Sequence, residues 1–411
     1  MDEDDGDETS KRRDKFREVS YLIWDKIMFN MAKNGIGLST SVNTLILLFV
    51  TALFQSNSLM AAENVDLSQA VIVSGSNRRN IKAAEFLQIE IQRRCGISLE
   101  KSTSMPKGPK AVIVLGSKDN FPCSYNLPSG LSVPNKADGY AIWIDTTSRK
   151  AVTVFLVGSD DRGALFAAGR LIRLLGLGKG YIGLDEATAV EGRPDVDFRG
   201  HQIAYRGLNN TTDKWDIQQY EQQIRDLIIF GTDTIELIPV LDRETRHEPH
   251  MQMTIWKMNE KLSELIDEYG LDLWIYKSIF TREVDTPAKE AETLAKWKEM
   301  LESLHELDAI LIPGGDGSDM TPEELMDWFA KVKAVLTQVH PNATLWITHQ
   351  SWSRAENEWF YNYLEKEKPD FLEGVARLEL FECSGYCVLG LGDWFAAHTA
   401  RTIQHEDHFH R

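Results

Sequence analysis

Between Phe198 and Asp316 the chain alternates short apolar runs with amphipathic stretches of helical period, and this alternation restricts the fold more than any other feature. A strand followed by a helix, repeated, builds a parallel sheet wrapped by its helices, and enough repeats close it into a (β/α)8 barrel. The chemistry of such barrels is carried by loops at the carboxyl ends of the strands. Strand-like segments run over Phe198 to Tyr205, Thr232 to Pro239, Leu271 to Ile279, Ala309 to Pro313 and Thr344 to Thr348. Helical stretches span Trp215 to Phe230, Ile255 to Tyr269, Ala288 to His305 and Pro322 to Val339, with Gly231 and Gly270 as stops and Pro322 in a first turn. Five units are legible, and Phe371 to Val375 opens a sixth strand. From Ala376 to Arg411 no further unit follows, an ending that truncation or a shifted reading frame would produce. His398, His405, His408 and His410 are too irregularly spaced there to suggest a metal site.

A separate α/β unit precedes the barrel over 65–192. Ala70 to Val73, Ala111 to Leu115, Gly139 to Ile144 and Ala151 to Val157 read as strands, and Asn80 to Cys95 and Arg162 to Leu175 as helices. Gly96 and Gly176 stop the helices, and Asp160 and Asp161 cap the second. The turn from Gly158 to Gly163 lacks the glycine spacing and the lysine of a loop that grips nucleotide phosphates. The expected architecture is α/β: a small α/β amino-terminal domain, a linker at Arg193-Pro194-Asp195, a partial (β/α)8 TIM barrel over 197–375 and an atypical tail over 376–411.

Composition adds exclusions. With 43% hydrophobic and 26% charged residues the chain is of globular type. Its formal net charge of -17 opposes nucleic acid or an anionic membrane as a partner, because phosphate contacts need clustered Lys and Arg. Cys95, Cys123, Cys383 and Cys387 are too few for a disulfide scaffold and lack the paired spacings of a structural zinc site. No metal and no cofactor are expected.

Ahead of the folded units, Leu45 to Phe54 is an apolar run too short to span roughly 30 Å of hydrocarbon and suited to the core of a signal peptide. Small residues follow at Ser58-Leu59-Met60-Ala61-Ala62, a suitable cleavage site. Residues 1–62 are therefore read as an extension and signal peptide that direct the protein to the periplasm or the exterior. The acidic opening from Asp2 to Glu8 does not suit an exported chain, whereas Met31 followed by Lys33 would make a conventional start. A buried amphipathic helix is the alternative reading of this segment.

Polar side chains gather where the barrel strands should end: Arg199, His201, Tyr205 and Arg206 on the first, Glu236 and Asp242 on the second, Asp316 and Asp319 on the fourth, His349 and Trp352 on the fifth. Carboxyl groups in such places suit acid–base cleavage of an acetal. Asp316 is accordingly the candidate catalytic residue, with Arg199, His201, Arg206, Glu236, Asp242 and Trp352 as candidate substrate-binding residues. Gly314 and Gly315 would let a sugar approach Asp316 closely, and Trp352 would stack on its apolar face. Two of these residues have ordinary alternatives, since Glu236 could pair with Arg206 and Trp352 could belong to the core.

Three segments carry a resemblance: Asp138-Gly139-Tyr140, the run from Val157-Gly158-Ser159-Asp160-Asp161-Arg162-Gly163 into its helix, and Arg199-Gly200. Together they resemble the non-catalytic amino-terminal domain and first barrel strand of glycoside hydrolase family 20 hexosaminidases and family 67 alpha-glucuronidases, over roughly Val65 to Gly374. The resemblance implies a hydrolase of O-glycosyl bonds in polysaccharide breakdown, with carbohydrate as partner, or a catalytically inactive carbohydrate-binding remnant. It further implies that Arg199 holds hydroxyls of the terminal sugar, and that Gly314-Gly315-Asp316 matches a Gly-Gly-Asp-Glu motif at the end of the fourth strand. Gly317 stands where that motif has its catalytic Glu. The mature chain is expected to start at Ala62 or Glu63, as read by amino-terminal sequencing of exported material; a secreted form retaining Asp2 would contradict export.

Overall fold

A computed structural model of the chain describes residues 64–122, 130–147, 151–206, 212–246, 248–315, 317–376 and 395–396. The run from Leu45 to Phe54, Cys123, Asp316, Cys383, Cys387 and the four tail histidines lie outside the described residues. No helix among the described residues is long and apolar enough to cross a membrane.

The first unit contains β1 (Asn64–Asp66), β2 (Val71–Ser74), α1 (Arg78–Cys95), β3 (Glu100–Ser102), β4 (Val112–Ser117), β5 (Tyr140–Asp145), β6 (Thr153–Gly158), α2 (Asp161–Leu174), β7 (Gly176–Gly178), β8 (Tyr181–Asp185) and β9 (Ala189–Gly192). Its main sheet runs β3-β2-β4-β6-β5-β9, with β3, β2, β4 and β6 parallel and β5 antiparallel to both neighbours. β2, β4 and β6 are buried along their whole length, which explains why they are continuous apolar runs instead of alternating ones. α1 opens at Asn77, whose side chain accepts from the Asn80 amide, and closes at Gly96 in the left-handed conformation. α2 opens at Asp160, which accepts from the Gly163 amide. β1, β8 and β7 form a separate antiparallel ribbon.

The barrel follows as β10 (Gly200–Ile203), α3 (Ile217–Ile229), β11 (Thr234–Leu237), α4 (Ile255–Tyr269), β12 (Asp272–Tyr276), α5 (Pro287–Ser303), β13 (Ala309–Pro313), α6 (Pro322–Val339), β14 (Thr344–Thr348), α7 (Arg354–Glu367) and β15 (Gly374–Ala376). Each strand pairs in parallel with the next, and β16 (Phe395–Ala396) adds antiparallel to β15. The sheet begins at β10 and ends at β16, so among the described residues it stays open, short of the eight parallel strands that close this barrel type. Reciprocal caps start three helices: Asp216 with Gln219, Thr321 with Glu324, and Ser353 with Glu356. α7 is absent from the sequence reading because Phe360 is its one fully buried side chain, leaving no apolar stripe to recognise.

Alternation along the strands separates two cores. Ile235, Leu237, Leu273, Ile275, Ile310, Ile312, Leu345 and Ile347 point outward into the main core with the helices. Trp274, Ala309, Leu311, Trp346 and Ala376 face the lumen, with Phe198 and Tyr276 packed against them. Phe198, Trp274 and Trp346 meet with ring centroids 5.3 to 5.9 Å apart and fill the lumen's base.

The first unit docks on the amino-terminal ends of the barrel strands. Asp138, only 4% exposed, binds Arg162 Nε at 2.6 Å and Arg199 Nη2 at 2.7 Å. Arg162 reaches on to Asp272 at 2.7 Å, and Arg199 to the fully buried Asp233 at 2.8 Å. Burial alone would depress the Arg162 pKa, but Asp272 and Asp138 more than offset it and the guanidinium stays firmly charged. Burial also lifts nearby Asp308 to about 6, although it accepts from the Leu273 amide. A second contact is helix on helix: a Cβ on Gly169 of α2 would stand 3.0 Å from the Ile228 carbonyl of α3, so glycine permits the close crossing. Beside it, the buried Glu90 of α1 receives Arg94 and, at 3.0 Å, Arg225 of α3. Truncating Asp138 to Ala would remove the buried carboxylate that Arg162 and Arg199 share, leaving each guanidinium with one aspartate, Asp272 or Asp233. We expect the variant to lose about 1.5–3 kcal/mol of stability with the lost charge-assisted hydrogen bonds, seen as a lowered urea midpoint.

Candidate active site at the carboxyl ends of the barrel strands

Parity along β10 and β11 brings Gln202 and Glu236 to the lumen in register, and the Gln202 amide donates to Glu236 Oε2 at 2.6 Å. Glu236 stands one residue short of the carboxyl end of β11 and is partly accessible. Burial lifts its pKa to about 7, with the Gln202 hydrogen bond pulling weakly the other way. A carboxyl of this kind holds its proton near neutrality and can donate it. Gln202 was not among the sequence candidates, although its place two residues after Gly200 on the lumenal parity was a usable signal.

Arg206, three residues beyond β10, is half-buried, and its buried Nε meets no hydrogen-bond partner among the described residues. It does not pair with Glu236, whose partner is Gln202. The adjacent Tyr205 is fixed by donating to the Met253 carbonyl and accepting from the Met253 amide, each at 3.1 Å.

The loop after β13 is dense backbone. The Gly314 amide donates to the Thr348 carbonyl at 2.7 Å, and a Cβ on Gly314 would lie 2.5 Å from Trp352 Cζ2. Gly315 has φ +71° and presses on the Gln350 carbonyl. Gly317 has φ +97°, where a Cβ would be 2.9 Å from the Tyr276 hydroxyl and 3.1 Å from Ser278 Oγ. The glycines are thus demanded by the protein's own packing, which corrects the expectation that they leave room for a sugar. Asp316 itself is outside the described residues, between two glycines that are described. Asp319 ties this loop to the next, accepting from the Thr281 amide at 2.6 Å; that bond holds its pKa below the usual carboxylate value.

Three other candidates, Arg199, His201 and Trp352, occupy places different from those expected. Arg199 precedes β10 and is committed to Asp138 and Asp233 at the base of the barrel, with Nε donating to the Gly231 carbonyl at 2.7 Å. Its distance from the mouth follows from strand direction, since the residue leads into the strand. His201 lies opposite Ile235, on the outer parity of an edge strand, and burial lowers its pKa. Trp352 is 8% exposed, its ring covered by Gly314 and edge-on to Phe360 at 5.0 Å, so it is core and offers no face for stacking. Asp242 is exposed in the loop after β11 and accepts from the Glu244 amide at 3.0 Å as a turn-forming residue. At the rim, His349 Nε2 meets the Tyr361 hydroxyl at 3.2 Å. Among the described residues, no three His, Cys, Asp or Glu side chains converge as metal ligands. A surface groove of about 640 Å³ lies away from the mouth, between α1 and α4, and its Arg78, Lys82, Asp267 and Glu268 already pair with one another.

No protein-family model matches this sequence, and no curated protein does. Solved structures do share its fold. One is the chitobiase of Flavobacterium johnsoniae, with TM-score 0.52 and 11% identity, covering 77% of this chain and 57% of its own. Another is the family 20 beta-N-acetylhexosaminidase of Streptomyces coelicolor A3(2), with TM-score 0.52 and 10% identity over 77% of this chain and 71% of that one. The Streptomyces plicatus N-acetyl-beta-hexosaminidase in complex with thio-NAglucal gives the same TM-score and identity, with 70% of that chain covered. The chain spans little more than half of the chitobiase. The fold is that of a family 20 glycoside hydrolase: a small α/β domain ahead of a TIM-type barrel.

A carboxyl whose pKa is raised in the native state stabilises the fold below its unfolded pKa and ceases to do so as pH rises through about 7. We therefore expect Glu236→Gln to be more stable than the wild type at pH 8 by on the order of 1–3 kcal/mol, seen as a higher unfolding temperature, and the difference to vanish near pH 4.

Proposed function

We propose that this protein binds oligo- or polysaccharide at the carboxyl ends of its barrel strands and hydrolyses O-glycosyl bonds there, as an exported glycoside hydrolase with Asp316 as catalytic residue. The observation carrying this reading is the loop Gly314–Gly317 following β13, in a fold shared with hexosaminidases of which one is named as a complex with thio-NAglucal. Arg206, with its unpartnered Nε at the same end of the sheet, is the substrate-binding group, and Asp242 and His349 stand on the rim. The substrate is a hexosaminide or, on the resemblance to family 67, a glucuronide.

One observation favours a second reading, a carbohydrate-binding protein that cleaves nothing. Gly317 has a left-handed backbone against the Tyr276 hydroxyl, which no glutamate side chain could share without displacing the loop. A glutamate at position 317 is therefore excluded by geometry as well as by sequence.

Calorimetry with N-acetylglucosamine oligosaccharides, together with hydrolysis of nitrophenyl hexosaminides and glucuronides, separates the two readings. On the first, Asp316→Asn lowers kcat by about 100-fold or more while saccharide binding persists. Equal rates in the variant would remove Asp316 from the mechanism, and binding without turnover in the wild type would establish the second reading.

A further inference from the structure

Acetal cleavage near neutral pH requires a proton donor for the departing oxygen, and position 317 has none to give. Among the described residues of β10 to β15, Glu236 is the carboxyl that faces the lumen from the carboxyl half of a strand; Asp272 is the first residue of β12 and is held by Arg162 at the base. We propose, resting on the glycosidase reading above, that Glu236 is the general acid of the reaction and that Gln202 is its positioning residue. The Gln202 amide occupies one carboxyl oxygen, Oε2, and no hydrogen bond engages Oε1 among the described residues, so the side chain is aimed yet keeps an oxygen for the substrate. On the other side, β12 places Trp274 in register with Glu236 and Tyr276 two residues nearer the mouth. Burial and the Gln202 amide are the influences on its titration among the described residues, where no charged side chain enters. A carboxyl so placed stays protonated up to about pH 7, where an ordinary glutamate has long been ionised.

The step balances as follows. Glu236 gives its proton to the glycosidic oxygen while the bond from that oxygen to C1 breaks, and the leaving sugar departs as an alcohol. Water then bonds to C1 through its oxygen and its surplus proton restores the carboxyl. The products are two hydroxyl-ended sugars, one water is consumed, and nothing is oxidised or reduced.

The test compares wild type, Glu236→Gln and Gln202→Ala on the nitrophenyl glycoside and on the corresponding unactivated disaccharide of N-acetylglucosamine, from pH 5 to 9. The disaccharide has the poor leaving group and needs the proton; nitrophenolate leaves without it. The expected result is a loss of about 100-fold or more in kcat/KM for the disaccharide in Glu236→Gln, with a much smaller loss on the nitrophenyl glycoside. In the wild type, kcat/KM for the disaccharide should fall about tenfold per pH unit above pH 7, and Gln202→Ala should displace that limb. A purely structural Glu236 would affect both substrates alike and leave the limb in place. Disaccharide hydrolysis by Glu236→Gln within a few-fold of wild type, or a wild-type profile flat through pH 7, overturns the assignment while the glycosidase reading stands. A wild type that binds saccharide but hydrolyses neither substrate, nor the matching nitrophenyl glucuronide and glucuronide disaccharide, overturns Glu236 as acid and leaves a binding protein; one that neither binds nor hydrolyses any of these overturns both readings.

Discussion

The buried carboxylate of Asp138 holds this structure together. It bridges two arginines, one from the small domain and one from the entrance to the first barrel strand, and each arginine continues to an aspartate on the barrel's base. Taking these charges from water is costly, and only their mutual pairing makes it tolerable, so the cluster fixes one relative placement of the two layers. Asp138 adopts φ +62°, an unfavourable backbone for an aspartate, and its amide donates to Asp160, the cap of α2. Ser159 donates its amide to Gly139, and a Cβ on Gly163 would collide with the same carbonyl. The three sequence segments that resemble family 20 therefore converge on a single junction. Their residue types answer to docking, not to chemistry.

The opposite end of the barrel follows different constraints. There the loop after β13 is pressed between β12 and the segment after β14, and left-handed glycines are the residues that fit. Lumenal Glu236 and Gln202 rise above an aromatic base of Phe198, Trp274 and Trp346. The arrangement places a carboxyl of raised pKa toward the carboxyl ends of the strands and the compensated charges at the amino ends. In barrels of this type the carboxyl ends of the strands carry function and the amino ends stability.

The open sheet has an energetic consequence. β10 offers an unpaired edge among the described residues, with Gly200 and His201 exposed on it. Such an edge costs backbone hydrogen bonds and invites pairing with another chain. The shortness of β10, four residues, limits that liability.

Much of the fold was legible in the sequence by itself, because burial leaves a periodic mark. The fully buried strands β2, β4, β6 and β13 are rich in Val, Ile and Leu, and Gly96, Gly270 and Asp160 mark where helices must start or stop. α7 escaped because it buries almost nothing, and β7 because it is only three residues long. The candidate site was legible only as a set of residue types near strand ends. Whether Arg199 leads into a strand or follows it, whether His201 takes the inner or outer parity, and whether Trp352 covers a glycine or faces solvent depend on register and packing between segments far apart in the chain. The titration of Glu236 likewise depends on what surrounds it, since burial raises a carboxyl's pKa only once neighbouring strands exclude water. Local periodicity determined the elements; only tertiary contact decided which end of each strand, and which face, carries a given side chain.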